Sequence, residues 1–434
     1  MKEYDITVYG ASGFTARHII SHLQKYPLRI ALSARTPSKI QHNPQNYPVI
    51  QCDTDNLEII TSKSVVLLNC AGPYIRCGEA VVESCIDNNC HYVDITGETT
   101  FINNIIKKFG EKAKEQNVYI LNCCGFDSVP CDISFDMLKR RIESKLKNDK
   151  QVGDGTNQRD TDKRQADDSN NVKGADILKT INNSVPNMHG VSIYNFLKFK
   201  DVKCNFATFE SLVHGLASHF NKPKQSAREG RRSKTPSKII YSKERKCYCV
   251  IFMGTDHSVV TRSQKAFYEI NDMPIVDFYI YMEVGGLFGV IVFMFFFTLI
   301  FWMARSELGR NILLKYPGFF TCGRVKHGLT REEIDKSSFE MNLYGYYQTA
   351  DSAAAQNGEH SGRQMEHLSV RGPDPGYKTT PICMVECAIL LHDRITNSKK
   401  LTLCDGGVVT PAMLFYDTEL VNKLNEEGIV FSFE

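Results

Sequence analysis

Short apolar runs alternate with helix-like patterns along the first third of the chain. The runs lie at 6–9, 29–35, 49–53, 65–70, 91–95 and 118–122, with helix-like segments between most of them. The run at 65–70 begins with four consecutive apolar residues, which is typical of a strand that is buried on both faces of a parallel sheet. This order predicts an α/β fold, a doubly wound, Rossmann-type parallel sheet over residues 1–140.

The pattern changes after this first domain. Residues 148–174 contain no aromatic side chain and few apolar ones, and they interleave acidic and basic residues. Such a segment buries too little apolar surface to offset the entropy of ordering, so a disordered insertion is predicted. Residues 349–369 are interpreted as a second, shorter loop. Between them, strand-like alternation predicts an α+β substrate domain over 175–347.

One segment of the predicted substrate domain is strongly apolar. Residues 284–304 carry no charge, and Glu283 and Arg305 close the two ends. The length is sufficient to span a bilayer. Basic residues after the segment would place its C-terminal side in the cytosol and the nucleotide domain on the far side. Insertion into one leaflet, with both flanks on one face, is therefore favoured over a true span or a buried core helix.

Composition and charge exclude several classes of protein. The chain has 434 residues, a net charge of +3 and 15 cysteines. The charge is too small to indicate nucleic-acid binding, and the cysteines match no zinc spacing, so reduced thiols and no metal site are expected. The segment 222–246 carries ten Lys or Arg against two Glu. It is either a solvated loop or a surface for anionic lipids or an acidic substrate.

A glycine-rich turn after the first strand gives the clearest chemical prediction. A strand that feeds a helix through small residues directs backbone N–H groups at one anion, usually a pyrophosphate. The second strand ends without the acidic residue that would read an NAD ribose, and Arg35 favours a 2′-phosphate, so NADP(H) is expected over NAD(H). The predicted cofactor-binding residues are Gly10, Ala11, Ser12, Gly13, Phe14, Thr15, Ser33, Arg35, Asp53, Ala71, Gly72, Pro73 and Tyr74.

Polar residues at strand ends are the candidates for proton transfer. A carboxylate in an apolar pocket has a raised pKa, which suits a proton donor. The alternatives are that Tyr74 only packs and that Asp94 and Asp127 cap the following helices. The predicted catalytic residues are Tyr74, Asp94, Glu98, Asp127 and Ser128.

Six motifs in order resemble the saccharopine dehydrogenase-like oxidoreductases of the saccharopine dehydrogenase family. They begin at Gly10, Asn69, Tyr92, Gly125, Gly372 and Gly406. The resemblance is more distant to the bacterial trans-acting enoyl reductases of glycolipid synthesis. It implies a Rossmann domain that is completed by residues 376–434, an inserted substrate domain, and a membrane or lipid-droplet location.

The resulting hypothesis is an NAD(P)-dependent oxidoreductase, with NADPH reducing a lipid-like C=C or C=O group. The alternative is an inactive dinucleotide-binding scaffold or redox sensor on lipid membranes. The expected location is the cytosolic face of a membrane, with lipid droplet, endomembrane and mitochondrial surfaces left open. The expected partners are a small lipid-like substrate and that lipid surface, without nucleic acid, and a homo-oligomer is left open. Saccharopine itself is not expected as substrate, because no cationic cluster is placed to hold its carboxylates.

Overall fold

The computed structural model describes residues 2–154, 188, 190–220, 236–348, 363–397 and 404–434. Two seven-stranded sheets organise these residues, one parallel and one mixed. A two-stranded sheet pairs β8 (Cys204–Asn205) with β12 (Val325–Lys326).

The first sheet contains the apolar runs of the N-terminal third. Its strands are β1 (Tyr4–Tyr9), β2 (Ile30–Ala34), β3 (Val49–Gln51), β4 (Ser64–Asn69), β5 (His91–Asp94), β6 (Tyr119–Leu121) and β15 (Gly407–Val409). They are parallel in the order β15-β6-β5-β4-β1-β2-β3. The order reverses beside β1, as in doubly wound folds. The predicted Rossmann-type fold class is therefore confirmed.

Helices connect these strands and cover both faces of the sheet. They are α1 (Phe14–Leu23), α2 (Glu58–Thr61), α3 (Tyr74–Asp87), α4 (Thr99–Glu115) and α5 (Val129–Asp154), with a 3₁₀ turn at Pro37–Lys39. Near the C-terminus, α12 (Thr380–Thr396) packs on α1. Because α12 is nearly all apolar, Pro381 to His392 are buried.

The second sheet is mixed and has the order β16-β14-β13-β7-β11-β10-β9. Its strands are β7 (Ser192–Lys200), β9 (Ile239–Ser242), β10 (Cys247–Ile251), β11 (Asp277–Gly285), β13 (Ser338–Tyr347), β14 (Gln364–Pro373) and β16 (Val430–Phe433). Helix α5 crosses this sheet so closely that a Cβ at Gly345 would lie 2.4 Å from Cδ1 of Ile142. α5 and α7 (Asp256–Asn271) therefore link the two sheets.

Three predicted boundaries need correction. α5 continues to Asp154, so the backbone is helical at the start of the predicted insertion 148–174, of which 155–174 lie outside the described residues. β14 begins at Gln364, so the last residues of the predicted loop 349–369 form a strand, because Leu368 and Val370 are buried against the core. The C-terminal segment contributes to both sheets, because β15 joins the parallel sheet and β16 pairs with β14 to form one edge of the mixed sheet.

The apolar segment forms α8 (Leu287–Ala304) and packs in a small helical unit. The unit also contains α6 (Phe206–Phe220), α9 (Glu307–Lys315), α10 (Pro317–Phe320), β8 and β12. Only Val290 and Ala304 of α8 are buried, whereas Phe288, Phe295 and Trp302 are 78%, 63% and 64% exposed. The alternative of a buried core helix is therefore wrong.

The topology also disagrees with a single membrane crossing by α8. β11 precedes the helix and β13 follows it, and both strands pair with β7. A single crossing would place these two neighbours of β7 on opposite sides of a bilayer.

The remaining helices are α11 (Arg331–Lys336), α13 (Pro411–Phe415) and α14 (Leu420–Glu426).

Candidate functional site

The glycine-rich turn lies at the carboxyl end of β1 and fits closely against the loop after β4. Gly10 has φ +80°, and a Cβ there would lie 2.8 Å from the backbone N of Ala71. The N–H groups of Gly10 and Ala11 donate to the carbonyl of Ser33 at 2.9 and 3.0 Å. Only glycine fits this close approach without strain. The turn thereby brings the predicted cofactor residues of β1, β2 and β4 together.

The first turn of α1 is open for an anion. Gly13 is its N-cap residue, and no side chain caps the helix N-terminus. The edge of the Phe14 ring meets Tyr377, with centroids 5.0 Å apart and planes at 85°. Tyr377 lies in a π-helical turn (Pro375–Thr379), and its hydroxyl accepts a hydrogen bond from the backbone N–H of Asn205. One tyrosine therefore joins the turn to the inserted domain. Ser12 is exposed, and Thr15 lies partly exposed in the first helical turn.

Arg35 and Asp53 follow β2 and β3 on the same edge. Arg35 is exposed and lies in the electrostatic environment of the Tyr9 hydroxyl, together with Asp53. Within the described chain no carboxylate pairs with Arg35, so its guanidinium is available to an added phosphate. Asp53 instead accepts a hydrogen bond from the backbone N–H of Asp55 at 3.0 Å. Ser33 is fully buried and takes part through its backbone carbonyl.

Tyr74 and Glu98 have structural contacts in this structure. The Tyr74 hydroxyl donates to the carbonyl of Asn69 at 3.0 Å, and burial raises its pKa well above the usual value. Glu98 accepts hydrogen bonds from the backbone N–H groups of Tyr74 and Ile75 at 3.0 and 2.8 Å. Glu98 therefore caps α3, and the packing alternative is favoured for Tyr74. Gly72 and Pro73 form the loop that leads into this helix.

Asp94 is the centre of a buried hydrogen-bond network between β4, β5 and β6. Its carboxylate accepts from the Tyr92 hydroxyl at 2.9 Å and the Asn122 amide at 2.7 Å. It also accepts from the backbone N–H groups of Cys123 and Thr96 at 2.9 and 3.1 Å. Burial raises the pKa of Asp94 to about 6, against the effect of these four bonds. The contacts favour a structural role.

Asp127 follows β6 and differs from Asp94 in its contacts. Its side chain is accessible, and no described residue donates a hydrogen bond to its carboxylate. It is nevertheless surrounded by protein, and this partial desolvation raises its pKa to about 6. An accessible carboxyl group with a raised pKa is suited to proton transfer near neutral pH. Ser128 is buried, and its hydroxyl donates to the carbonyl of Asp127 at 2.6 Å.

Helix α7 brings residues to this site that the sequence did not single out. The Thr255 hydroxyl donates to the carbonyl of Asp127 at 3.2 Å. The next residue, Asp256, is buried, and its pKa is raised well above the usual value by burial and by the nearby charge of Asp127. Arg262 donates from Nη2 to the carbonyl of Val409 at the end of β15. No motif marks these residues, because α7 comes about 130 positions after β6.

The site residues thus fall into two groups on one edge of the sheet. The first group surrounds the turn after β1 and includes Arg35 and the loop 71–74. The second group, around Asp127, lies after β6 and touches α7. Neighbouring strands are about 4.8 Å apart, so three spacings separate the two groups by about 14 Å. A dinucleotide bound with its pyrophosphate at β1 extends along this edge.

A separate cluster of His22, Glu386 and Glu427 lies at the other end of α1. His22 is hydrogen-bonded to Glu386 at 2.9 Å, and Tyr26 donates to the same carboxylate. Lys25 donates to Glu427 at 2.6 Å. These contacts fasten α1 to α12 and α14.

Comparisons with known proteins agree with this geometry. Residues 6–121 match the family described as the saccharopine dehydrogenase NADP binding domain. The saccharopine dehydrogenase-like oxidoreductase of Homo sapiens is 28% identical over 464 residues, which cover 99% of this chain and 97% of the human one. The lipid droplet localized protein of Caenorhabditis elegans is 27% identical over 476 residues, covering 100% and 99%.

A solved structure shows the same fold. Apo saccharopine dehydrogenase (L-Glu forming) from Saccharomyces cerevisiae has a TM-score of 0.50 and 11% identity, covering 99% of this chain and 100% of that chain. The fold and the site define an oxidoreductase with a Rossmann-type NADP-binding domain. Residues 6–121 are similar to the NADP-binding domain of saccharopine dehydrogenase, and the whole chain is similar to the saccharopine dehydrogenase-like oxidoreductases. The predicted resemblance and the preference for NADP(H) are confirmed.

Proposed function

We propose that the protein uses NADPH to reduce a C=C or C=O group of a lipid-like molecule at a membrane or lipid-droplet surface. The observation that carries this proposal is the accessible carboxyl group of Asp127. It follows β6 and lies beside the start of α7, and partial desolvation raises its pKa to about 6.

Different residues of the chain bind the cofactor, supply the proton and hold the surrounding loops. When bound, the cofactor supplies hydride and the protein supplies orientation and a proton. The backbone N–H groups around Gly13 bind the pyrophosphate, and Arg35 binds the 2′-phosphate. Asp127 holds the proton that neutralises the substrate after hydride addition. The predicted proton donors Asp94, Glu98 and Tyr74 instead keep the loops around the cofactor in place.

The lipid part of the proposal rests on α8. Its side chains Phe288, Phe295 and Trp302 are largely exposed, and none of the 18 residues of the helix is charged. The helical unit that carries α8 includes Cys204, whose pKa is raised by burial and by the nearby charge of Asp127. The unit thus extends from the surroundings of Asp127 to the exposed helix. One similar protein is named for its lipid-droplet location.

The catalytic part is tested by NADPH consumption. Purified protein is incubated with NADPH and fractionated neutral and polar lipids, and absorbance is followed with product detection by mass spectrometry. A fraction that supports NADPH oxidation in the wild type, but not in Asp127→Asn, supports the reductase. If NADPH binds and no fraction is reduced, the scaffold or redox-sensor alternative replaces it.

The membrane part is tested by flotation with vesicles and with lipid droplets. The double variant Ile291→Asp/Phe295→Asp places two charges on the exposed face of α8 and is expected to stay at the bottom of the gradient. Ile106→Asp is the matched control, because Ile106 is an exposed apolar residue of the first domain. Equal flotation of the double variant and the wild type contradicts lipid docking through α8.

A further inference from the structure

Arg262 is a nearly enclosed cation at the carboxyl edge of the parallel sheet. Its guanidinium donates to the carbonyl of Val409 at 3.4 Å, a long hydrogen bond. Its titratable neighbours are Cys123, Asp94 and Asp132, so it lies over the ends of β5, β6 and β15. Part of the side chain remains accessible.

This guanidinium forms no direct ion pair with a carboxylate of the described residues. Nη1 is buried and has no hydrogen-bond partner among the described residues. The carboxylate of Asp132 is already held by the Ser263 hydroxyl at 2.7 Å and the backbone N–H of Ala412 at 2.8 Å. Asp94 is held by its four donors. Because arginine stays protonated in proteins, a desolvated guanidinium without an ion pair lowers stability unless a ligand completes it.

The backbone beside Arg262 is strained. Cys123 has φ +64°, in the left-handed region that residues other than glycine rarely adopt. The Cys123 thiol lies within the electrostatic environment of Arg262, Asp127 and Ser128. Such strain is concentrated at functional sites. Arg262 and Asp127 therefore lie on two sides of one strained corner at the end of β6.

We propose that Arg262 binds the carbonyl oxygen of the substrate and stabilises the negative charge that develops there. This inference rests on the proposed reductase and names its substrate class, a carbonyl compound or an α,β-unsaturated carbonyl compound. A desolvated cation aimed at a developing oxyanion is a large contribution to catalysis. An isolated C=C bond develops no oxyanion and is excluded as substrate.

The reaction balances with a hydride from NADPH, a proton from Asp127 and a proton from water that restores Asp127. Hydride from NADPH forms a C–H bond at the carbonyl carbon or at the β-carbon. The C=O or conjugated C=C electrons move onto oxygen as an alkoxide or enolate, and NADP⁺ is left. Asp127 then gives its proton to the alkoxide oxygen or to the enolate α-carbon, and water reprotonates the carboxylate.

Binding of a stable oxyanion mimic tests this role without turnover. Decanoate and decanol have the same chain length, and only decanoate carries an oxyanion. In calorimetry of the NADP⁺ complex, we expect wild type to bind decanoate at least tenfold more tightly than decanol. Arg262→Gln should lose this preference and keep the decanol affinity. Lys265→Gln is the matched control, because Lys265 is an exposed cation of the same helix, and it should behave as wild type.

Several results would overturn the proposal. These are equal affinity of wild type for decanoate and decanol, no binding of decanoate, or a preference that survives in Arg262→Gln. Weaker NADPH binding in Arg262→Gln would instead assign Arg262 to the cofactor. If Arg262→Gln does not fold, Arg262→Met, which also removes the charge, replaces it, and an unchanged preference in that variant is equally contradictory.

The same experiment separates this inference from the proposed function. A carboxylate preference in a protein that consumes no NADPH with any lipid leaves the anion subsite standing and contradicts the reductase. NADPH consumption without a preference that depends on Arg262 contradicts the subsite alone.

Discussion

Two neighbouring strand ends carry carboxyl groups with similar pKa values and different contacts. Burial raises the pKa of Asp94 and of Asp127 to about 6 in both cases. Asp94 after β5 accepts four hydrogen bonds, whereas Asp127 after β6 accepts none from the described residues and is accessible. A perturbed pKa alone therefore does not identify a catalytic group, and the contacts separate a structural carboxylate from a reactive one.

Removing the acid at Asp127 should have the largest effect. Asp127→Asn keeps the shape of the side chain and removes its proton, so we expect NADPH oxidation to fall about 10²- to 10⁴-fold with unchanged NADPH affinity. Wild type should lose rate above about pH 6, where the raised-pKa carboxyl becomes deprotonated, and the variant should lack this limb. Stopped-flow absorbance across pH measures both. A variant with full activity would refute the role of Asp127.

Asp94→Ala should affect stability instead. The substitution leaves the Tyr92 hydroxyl, the Asn122 amide and two backbone N–H groups buried without their acceptor. We expect the free energy of unfolding to fall by about 3–5 kcal/mol. Urea denaturation measures this loss, with Asp127→Asn as the control that should change stability by less than about 0.5 kcal/mol. Equal stability of the two variants would remove the distinction between the two strand ends.

Glu98→Ala should give the smallest effect. Because Glu98 caps α3 through two backbone N–H groups, its loss should lower the free energy of unfolding by about 1 kcal/mol. Thermal unfolding measures this change, and Glu98→Gln should retain part of the cap. A fall in turnover of the size expected for Asp127→Asn, at full NADPH occupancy, would instead return Glu98 to the catalytic group.

The parallel sheet could be predicted from the sequence because each of its first six strands is marked by a pattern of neighbouring residues. Each of the runs from 6–9 to 118–122 is a short, mostly apolar segment, and the glycine-rich turn lies between strand and helix. The strand order of the mixed sheet could not be predicted in the same way, because it depends on pairings between segments that are distant in the sequence. β16, for example, returns from the C-terminus to β14. A local pattern carries no signal for that contact.

The candidate site also combines residues that the local sequence predicts with residues that only the folded chain brings together. Asp94, Glu98 and Asp127 all lie at or after the ends of predicted strands, so their positions near the cofactor edge could be predicted from the sequence. Their hydrogen bonds could not, because several of the donors come from other segments of the folded chain. Arg262 is one of many cations on helical segments, and only the packing of α7 across β6 and β15 places it at this edge. Its role depends on burial and missing partners, which are properties of the folded chain.

NADP(H) binding at the turn after β1 underlies every role proposed for the site residues. Fluorescence titration of wild type and Arg35→Ala with NADPH and NADH tests this binding, because Arg35 is exposed and unpaired in the described chain. We expect at least tenfold tighter binding of NADPH, a difference of about 1.4 kcal/mol, and loss of this preference in Arg35→Ala with NADH affinity unchanged. Failure of both nucleotides to bind at micromolar concentrations, or a preference unaffected by the substitution, would contradict it.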